Sequence, residues 1–360
     1  MIVHSRFKDY SVNFKPNFDF FIPYKQETGR LIVADRKVYE LYRDTLFTDI
    51  PEKDLYLVEA VETNKVVQTA LDICEAMTAI PAKRNAHLIS VGGGIIQDIT
   101  GFVANILYRG IRWTFLPTTL LAACDSCIGG KTSLNYKQYK NLLGTFYPPD
   151  EIFICTSMFR TLTEQDFKSG LGEVVKFNIM RGQSGLDALE ADLDLLLVRD
   201  EVTLDHYVHN SLEFKKGYIE QDEFDQGVRI QLNFAHTFGH AFESISNYEI
   251  PHGTAVAIGT LVANRISVDR GILDKAQMER IEVILKRVIT IQTSADLTDT
   301  DSMLQAMRKD KKQISTALTA VLLDRDYNLH IVHDVEKPEI ERAVRAALDF
   351  LNEDKKWKKQ

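Results

Sequence analysis

The chain has 360 residues, of which 45% are hydrophobic and 26% charged, and its formal net charge is −8. This length is typical of about two globular domains. The negative charge argues against nonspecific binding to nucleic acid or to an anionic membrane. No stretch reaches the roughly 18 unbroken apolar residues of a membrane span, and the N-terminus lacks the apolar core of a signal peptide, so we expect a cytoplasmic protein.

Short apolar runs alternate with helical patterns in the first half of the chain. Such alternation predicts a mostly parallel sheet covered by helices, which is a common platform for a nucleotide. The predicted strands are 31–34, 55–58, 87–91, 113–116 and 152–155, and the clearest predicted helices between them are 66–79 and 96–108.

Long amphipathic stretches dominate after residue 161, which predicts a helical second domain. The predicted helices are 164–180, 203–220, 230–246, 253–270 and 274–288. The fold class is therefore α/β, with an N-terminal Rossmann-like parallel-sheet domain over residues 1–158 and a C-terminal, mostly α-helical domain over residues 159–360.

A glycine run, Gly92-Gly93-Gly94, directly follows a predicted strand and precedes a predicted helix. Glycines let the backbone approach a ligand closely, and the N-terminus of the helix offers unpaired N–H groups to a phosphate. A tight turn is the simpler interpretation of this run. Asp98, in the first turn of the predicted helix, fits either a capping charge or a ligand contact.

A second glycine-rich segment, 125–144, carries Asp125, Lys131, Lys140 and Asn141. Its Gly-Gly-Lys-Thr run resembles the end of a phosphate-binding P-loop, but the earlier glycine of that motif would fall on Asp125, so the match fails. A solvated loop remains possible, although glycines and cations concentrated in one place favour an anion-binding site.

Three of the nine histidines lie close together in the helical half: His236, His240 and His252. Their proximity favours a divalent metal site over isolated structural histidines, and the i, i+4 spacing puts the first two on one helical face. Glu173 is the candidate carboxylate ligand, because a lone charge in an apolar run needs a partner. Lys176 lies one turn later, where an anionic substrate would relieve its repulsion by a metal ion.

Several long motifs, in order, resemble the 3-dehydroquinate synthase family of sugar-phosphate cyclases, from about residue 62 to residue 312. The blocks that carry the resemblance are GGGIIQDITGF, RGIRWTFLPTTLL, DSCIGGKTSLN, KNLLGTFY, SGLGEVVK and NFAHTFGHAFE. The resemblance implies an NAD-binding first domain and a second domain that binds metal and substrate.

The resemblance assigns roles to residues at matching positions. It implies that the metal, most often zinc and sometimes cobalt, is bound by Glu173, His236 and His252. The implied catalytic residues are Lys131, Lys176, Lys215, Arg229, Asn233 and His240, and the implied substrate-binding residues are Arg109, Asp125, Asn141 and Lys311, with Lys312 as the alternative to Lys311. The implied NAD contacts are Asp35, Glu62, Lys65, Gly93, Gly94, Asp98, Thr118, Thr119, Lys140, Thr161 and Leu162.

The family's activity would be the conversion of 3-deoxy-D-arabino-heptulosonate 7-phosphate to 3-dehydroquinate and phosphate, a step of aromatic amino acid biosynthesis. It proceeds by transient oxidation by NAD, phosphate elimination, re-reduction and an intramolecular aldol reaction, in an enzyme that we expect to be a homodimer. The chain departs from the family's usual glycines at Gln97, Tyr139 and Ala235, and from a usual glutamate at Thr254. The alternatives are therefore a related cyclase for another sugar phosphate, an NAD- and metal-dependent polyol dehydrogenase, and an inactive NAD-binding protein.

Overall fold

The structure is a computed structural model that describes residues 1–137, 139–309 and 318–356. The chain forms two compact units. The first comprises Met1–Leu162 together with Leu204–Phe224, and the second comprises Thr163–Thr203 and the described part of Asp225–Gln360. The segment 204–224 lies in the stretch that the sequence analysis assigns to the second domain. No helix in the described ranges is both long and apolar enough to cross a membrane.

A seven-stranded sheet forms the centre of the first unit. Its strands, in the spatial order β1-β2-β9-β6-β5-β3-β4, are all parallel to their neighbours except for the antiparallel pair β1 and β2. The strand bounds are β1 Ile2–Val3, β2 Tyr10–Phe14, β3 Arg30–Asp35, β4 Leu55–Val58, β5 His87–Gly92, β6 Arg112–Pro117 and β9 Glu151–Ile154. All five strands predicted from apolar runs are present, and the parallel-sheet class is confirmed.

The chain order of these strands creates a switch point between β3 and β5. From β3 the chain moves outward to β4 at the sheet edge, and it then returns to β5 on the other side of β3. From β5 it continues in the opposite direction through β6. Ligands of open α/β sheets bind beyond the carboxyl ends of the strands at such a point.

The helices of the first unit connect its strands. They are α1 Ile22–Gln26, α2 Arg36–Tyr42, α3 Val67–Thr78 and α4 Gly94–Ile106, and most of α7 Glu201–Gln221 also belongs to this unit. The side chain of Gln97 on α4 donates to the Ser126 carbonyl and accepts from the Ser126 hydroxyl, both at 2.6 Å. This residue, which replaces a usual glycine, therefore ties α4 to the turn at Ser126.

Most of the glycine-rich segment, for which a solvated loop was one interpretation, forms an antiparallel hairpin of β7 Lys131–Tyr136 and β8 Tyr139–Phe146. A loop is therefore wrong for the two strands, whereas Gly129 and Gly130 precede them; the strand β7 begins with Lys131 exposed and Thr132 buried.

Helices dominate the second unit, which confirms the predicted helical C-terminal region. They are α5 Glu164–Met180, α6 Gln183–Leu197, α8 His236–Ile245, α9 His252–Asp269, α10 Lys275–Val288, α11 Thr300–Lys309 and α12 Lys337–Lys356. A two-stranded antiparallel sheet of β10 Leu318–Leu323 and β11 Leu329–Val335 completes it.

The predicted continuous helix 230–246 is broken. Residues Val228–Asn233 form a 3-10 helix, and α8 begins only at His236. Between them Ala235 adopts a left-handed conformation with φ 69°. Glycine adopts this conformation without steric cost, whereas alanine does so at a cost of about 1–2 kcal/mol. The alanine that replaces a usual family glycine thus lies at a strained position next to His236.

Candidate active site

Three side chains of the second unit converge as a metal-binding cluster. The Glu173 Oε1 lies 3.6 Å from His236 Nε2 and 3.4 Å from His252 Nε2. Glu173 is completely buried, and the three potential ligand atoms lie within 4.8 Å of one another. Two imidazole nitrogens and one carboxylate are a common ligand set of a catalytic zinc ion, so these residues fit a divalent metal.

Close helix packing sets the spacing of this cluster. Glu173 follows Gly172 on α5, and His252 precedes Gly253 on α9. A Cβ atom on Gly172 would lie 2.1 Å from the Gly253 carbonyl oxygen, and one on Gly253 would lie 1.8 Å from the Ser169 carbonyl oxygen. The two helices therefore approach closely because neither carries a side chain at the crossing, and this brings Glu173 to His252.

The crossing of α8 and α9 uses the same device. A Cβ atom on Gly239 would lie 3.1 Å from the backbone of Val256, and one on Gly259 would lie 2.4 Å from the Ala235 carbonyl oxygen. Because His236 lies at the start of α8, this second crossing places its ring beside that of His252, with ring centroids 5.3 Å apart.

Hydrogen bonds orient both histidines with Nε2 toward Glu173. His236 Nδ1 lies 3.0 Å from the Phe234 carbonyl oxygen, which can only accept, so Nδ1 carries the proton. His252 Nδ1 lies 3.1 Å from Glu243 Oε2. Burial alone would lower the pKa of His252, but the Glu243 and Glu173 carboxylates outweigh it and raise the pKa to about 10. The cluster therefore favours positive charge at the position where a metal ion would bind.

His240 lies one turn after His236 and also joins the cluster, with its ring centroid 5.4 Å from that of His236 and 5.8 Å from that of His252. Its potential ligand atom groups with Glu243 and His252 rather than with Glu173. Sequence reasoning missed Glu243. The signal was present, since His236, His240 and Glu243 lie at i, i+4 and i+7 on one face of α8.

Lys176 is buried with its ammonium beside the cluster. Its Nζ lies 2.6 Å from Glu173 Oε2 and donates to the Leu232 carbonyl oxygen at 3.2 Å. The predicted residues Arg229 and Asn233 lie on the 3-10 helix Val228–Asn233, which also contains Leu232. Arg229 is 3% exposed, and Asn233 Nδ2 donates to the Ile230 carbonyl at 2.9 Å. Lys176 is thus the cation that directly contacts the buried Glu173 carboxylate.

The predicted dinucleotide residues all belong to the first unit. Asp35 ends β3, Gly93 follows β5, and Thr118 follows β6. Because β3, β5 and β6 are neighbouring parallel strands, these residues share one edge of the sheet, at the switch point. Gly94 begins α4 at this edge, and a Cβ atom on Gly93 would lie only 3.0 Å from the Thr119 side chain.

A polar network joins other predicted cofactor residues to the hairpin. Lys65 pairs with Asp98 and donates to Asn141 Oδ1 at 2.7 Å. Lys140 Nζ lies 3.5 Å from Glu62 Oε1. Burial raises the pKa of Asp98, and Lys65 opposes that shift.

Sequence reasoning gave no role to two members of this network. The Ser133 hydroxyl donates to Asp98 Oδ2 at 3.0 Å, and Asn135 Nδ2 donates to Glu62 Oε1 at 2.9 Å. Both follow Lys131 at two-residue spacing along β7, so a strand prediction would have put them on the same face.

Other predicted substrate residues also lie in the first unit. Lys215 on α7 binds Asp125 through both its carboxylate, at 2.8 Å, and its backbone carbonyl, at 2.6 Å. Arg109 and Asn141 have left-handed backbones with φ 65° and 52°. Such conformations cost about 1–3 kcal/mol and cluster at functional sites. Lys131 is exposed on β7.

The last predicted cofactor residues, Thr161 and Leu162, end the first of the two segments of the first unit, and the Thr161 hydroxyl lies 3.0 Å from the Tyr42 hydroxyl. Lys311 and its alternative Lys312 fall outside the described residues.

These features define an α/β protein with a sheet edge suited to a dinucleotide and a histidine–carboxylate cluster suited to a divalent metal. Residues 55–169 match the family described as 3-dehydroquinate synthase N-terminal, and residues 170–313 match 3-dehydroquinate synthase C-terminal. The 3-dehydroquinate synthase of Clostridium tetani is 36% identical over 344 residues, which cover 95% of this chain and 86% of that protein. The chain belongs to the 3-dehydroquinate synthase family, as its motifs predict, and it is an enzyme of the carbon–oxygen lyase class.

Two solved structures share its fold. The 2-epi-5-epi-valiolone synthase of Streptomyces hygroscopicus subsp. jinggangensis, with NAD⁺ and Zn²⁺ bound, has a TM-score of 0.85 at 24% identity, over 97% of this chain and 99% of that one. A 2-deoxy-scyllo-inosose synthase in complex with carbaglucose-6-phosphate, NAD⁺ and Co²⁺ also has a TM-score of 0.85, at 22% identity, over 96% and 99%. At these identities the likeness concerns the fold.

Proposed function

We propose that this enzyme is a 3-dehydroquinate synthase that converts 3-deoxy-D-arabino-heptulosonate 7-phosphate to 3-dehydroquinate and phosphate. The observation that carries the proposal is the cluster of Glu173, His236 and His252, in which Glu173 is fully buried and the Lys176 ammonium lies beside it. A ligand set for a metal next to a buried cation suits a substrate that carries both hydroxyls and negative charges. The Clostridium tetani relative, which is named 3-dehydroquinate synthase, supports the same reaction.

NAD and a divalent metal, which we propose is zinc, are the cofactors. When bound, NAD supplies the transient oxidation of a substrate hydroxyl, and the metal acidifies that hydroxyl. Glu173, His236 and His252 would hold the metal. In the first unit Asp35 would accept hydrogen bonds from a ribose, and the N-terminus of α4 at Gly94 would bind the pyrophosphate.

The remaining predicted site residues would bind the substrate and transfer protons. Four cations and one amide would bind the phosphate and the carboxylate of the substrate. They are Lys131, Lys176, Lys215, Arg229 and Asn141. His240, beside the metal cluster, suits proton transfer, and Asn233 suits hydroxyl recognition. We further propose that the enzyme acts in the cytoplasm as a homodimer, on a free small molecule.

A second candidate is a related cyclase acting on another sugar phosphate. It is favoured by the departures Gln97 and Ala235, both of which alter the backbone surroundings of the sites without removing a predicted catalytic group. A polyol dehydrogenase, the other enzymatic alternative, shares the first oxidation step but must release NADH.

The test follows phosphate and free NADH together over many turnovers with the heptulosonate phosphate, NAD and zinc. A cyclase accumulates phosphate far beyond the enzyme concentration while free NADH stays at or below it. NADH production that matches product one for one would replace the cyclase with a dehydrogenase.

Two lysines of α5 provide matched variants for this assay. Lys176→Met removes the buried ammonium and should lower turnover at least about 100-fold. Lys168→Met removes a cation whose partner, Glu164, is largely exposed, so turnover should stay unchanged. Equal activity of both variants would contradict the role of Lys176.

A further inference from the structure

Glu243 on α8 makes a contact that neither the proposed ligand set nor the proposed chemistry uses. Its Oε2 lies 3.1 Å from His252 Nδ1, and the residue is only 8% exposed. A carboxylate so deeply buried needs a compensating partner. Glu243 is outside the group formed by Glu173, His236 and His252, and it contacts this group at the His252 ring.

The contact determines which nitrogen of His252 is available as a ligand. An ionised carboxylate only accepts hydrogen bonds, so it requires the proton of a neutral imidazole to be on Nδ1. The lone pair is then on Nε2, which lies 3.4 Å from Glu173 Oε1. The hydrogen bond also restrains rotation of the ring.

The two metal histidines differ in this respect. His236 donates to a neutral backbone carbonyl, of Phe234, whereas His252 donates to a carboxylate. A hydrogen bond to an ionised acceptor is roughly twice as strong as a neutral one, and it makes the ring a better electron donor. The acceptor for His236 is a backbone carbonyl, whose position is set by the fold of the 3-10 segment. The acceptor for His252 is the side chain of Glu243, which a single substitution can remove.

Glu243 also lies near His240, and these two residues form an overlapping group with His252. Direct coordination of a metal there would use His252 Nδ1. A neutral imidazole has one lone pair, so His252 cannot serve this position through Nδ1 and the Glu173 position through Nε2 at the same time. The complete burial of Glu173 and the orientation of His236 favour the Nε2 position.

We infer that Glu243 is a positioning residue of the metal centre, which holds His252 in the tautomer and orientation that present Nε2 to the metal. The inference rests on the metal site of the proposed function. It adds a fourth residue on which metal retention depends.

The experiment compares Glu243→Gln with the wild-type chain and with Glu282→Gln. Glu282 is a matched control, because it is another buried glutamate of the second unit, paired with Arg265 at 2.6 Å and outside the cluster. Zinc affinity is measured by competition with a chelator, zinc content by elemental analysis, and unfolding by urea in the metal-free proteins. The cobalt-loaded proteins also give a visible spectrum.

We expect E243Q to bind one zinc per chain with an affinity about 10–100-fold below that of the wild type. Its cobalt spectrum should keep the wild-type shape, because the three ligands are unchanged. E282Q should lose stability yet keep its zinc affinity within about threefold of the wild type. A purely structural role of Glu243 would make the two variants alike.

Two results would overturn the inference. One is an E243Q protein with wild-type zinc affinity, and the other is complete loss of zinc together with an altered cobalt spectrum, which would make Glu243 a ligand. Neither result bears on turnover. Conversely, a wild-type chain that binds one zinc but turns over no sugar phosphate would refute the proposed function and leave the role of Glu243 standing.

Discussion

The close contact between Gly172 and Gly253 predicts that a single methyl group can disable the metal centre. In Gly172→Ala the new Cβ would lie 2.1 Å from the Gly253 carbonyl oxygen, whereas real Cβ atoms essentially never come within 3.0 Å. The helices α5 and α9 must therefore separate by about 0.9 Å at the crossing. Overpacking of this kind costs about 1–3 kcal/mol of unfolding free energy.

Gly172→Ala should lower the affinity for zinc more than it lowers the free energy of unfolding. Zinc–ligand distances tolerate changes of only about 0.2 Å, and the crossing carries Glu173 on one helix and His252 on the other. We expect zinc affinity to fall at least about 100-fold in a chelator competition, while urea unfolding of the metal-free protein shows the smaller loss.

Gly217→Ala on α7 is the control for this variant. A Cβ there meets nothing within 4 Å, so stability should rise by about 0.5–1 kcal/mol and zinc affinity should not change. A G172A protein that binds zinc as tightly as the wild type would refute the idea that this crossing sets the ligand spacing.

Further variants test the ligand assignment, a buried histidine and the strained alanine. His236→Ala and His252→Ala should lose the metal, while His240→Ala should keep it and lose turnover. Elemental analysis of the purified variants measures the metal content. A metal-free H240A protein beside a metal-loaded H252A protein would reverse the assignment. Burial lowers the pKa of His87 in the folded protein, so the unfolded chain binds more protons at this residue. The contribution of His87 to the free energy of unfolding should therefore be fully present above about pH 6.5 and be lost as the pH drops through the folded pKa. Urea unfolding between about pH 7.5 and 5 checks this, and His87→Gln should flatten the dependence. Ala235→Gly should change the unfolding free energy by less than about 1 kcal/mol, because relief of the left-handed backbone offsets the lost methyl group, whereas Ala255→Gly within α9 should cost about 1–2 kcal/mol.

Five of the seven strands of the central sheet were predictable because buried parallel strands appear as continuous apolar runs, whereas β1 and β2 were not predicted. The hairpin of β7 and β8 was not predictable, since its lysines, Gly144 and the two glycines before it fit a loop equally well. The break before α8 was also missed. Phe234 and Ala235 fit an apolar helical period, and only the replacement of a usual family glycine at Ala235 pointed to a left-handed residue there.

The metal cluster was also predictable from the sequence only in part. Spacing alone nominates His236 and His240, because i and i+4 residues share a helical face. The meeting of Glu173 with His252 depends on the crossing of α5 and α9, which is a tertiary feature that no local pattern contains. The residues alone put Glu173 and His252 among the candidates, and the family resemblance selected them, with His236 and without His240, as the ligand set. The role of each ligand remains a prediction until the variants are measured.

The most direct test of the proposed function is product analysis by NMR after incubation of the purified enzyme with NAD, zinc and one sugar phosphate at a time. With 3-deoxy-D-arabino-heptulosonate 7-phosphate we predict 3-dehydroquinate and phosphate in equal amounts, over many turnovers. Glucose 6-phosphate, the natural counterpart of the carba-sugar bound to the inosose synthase, should give no product. A carbocycle formed only from glucose 6-phosphate, or phosphate released without any carbocycle, would contradict the proposal.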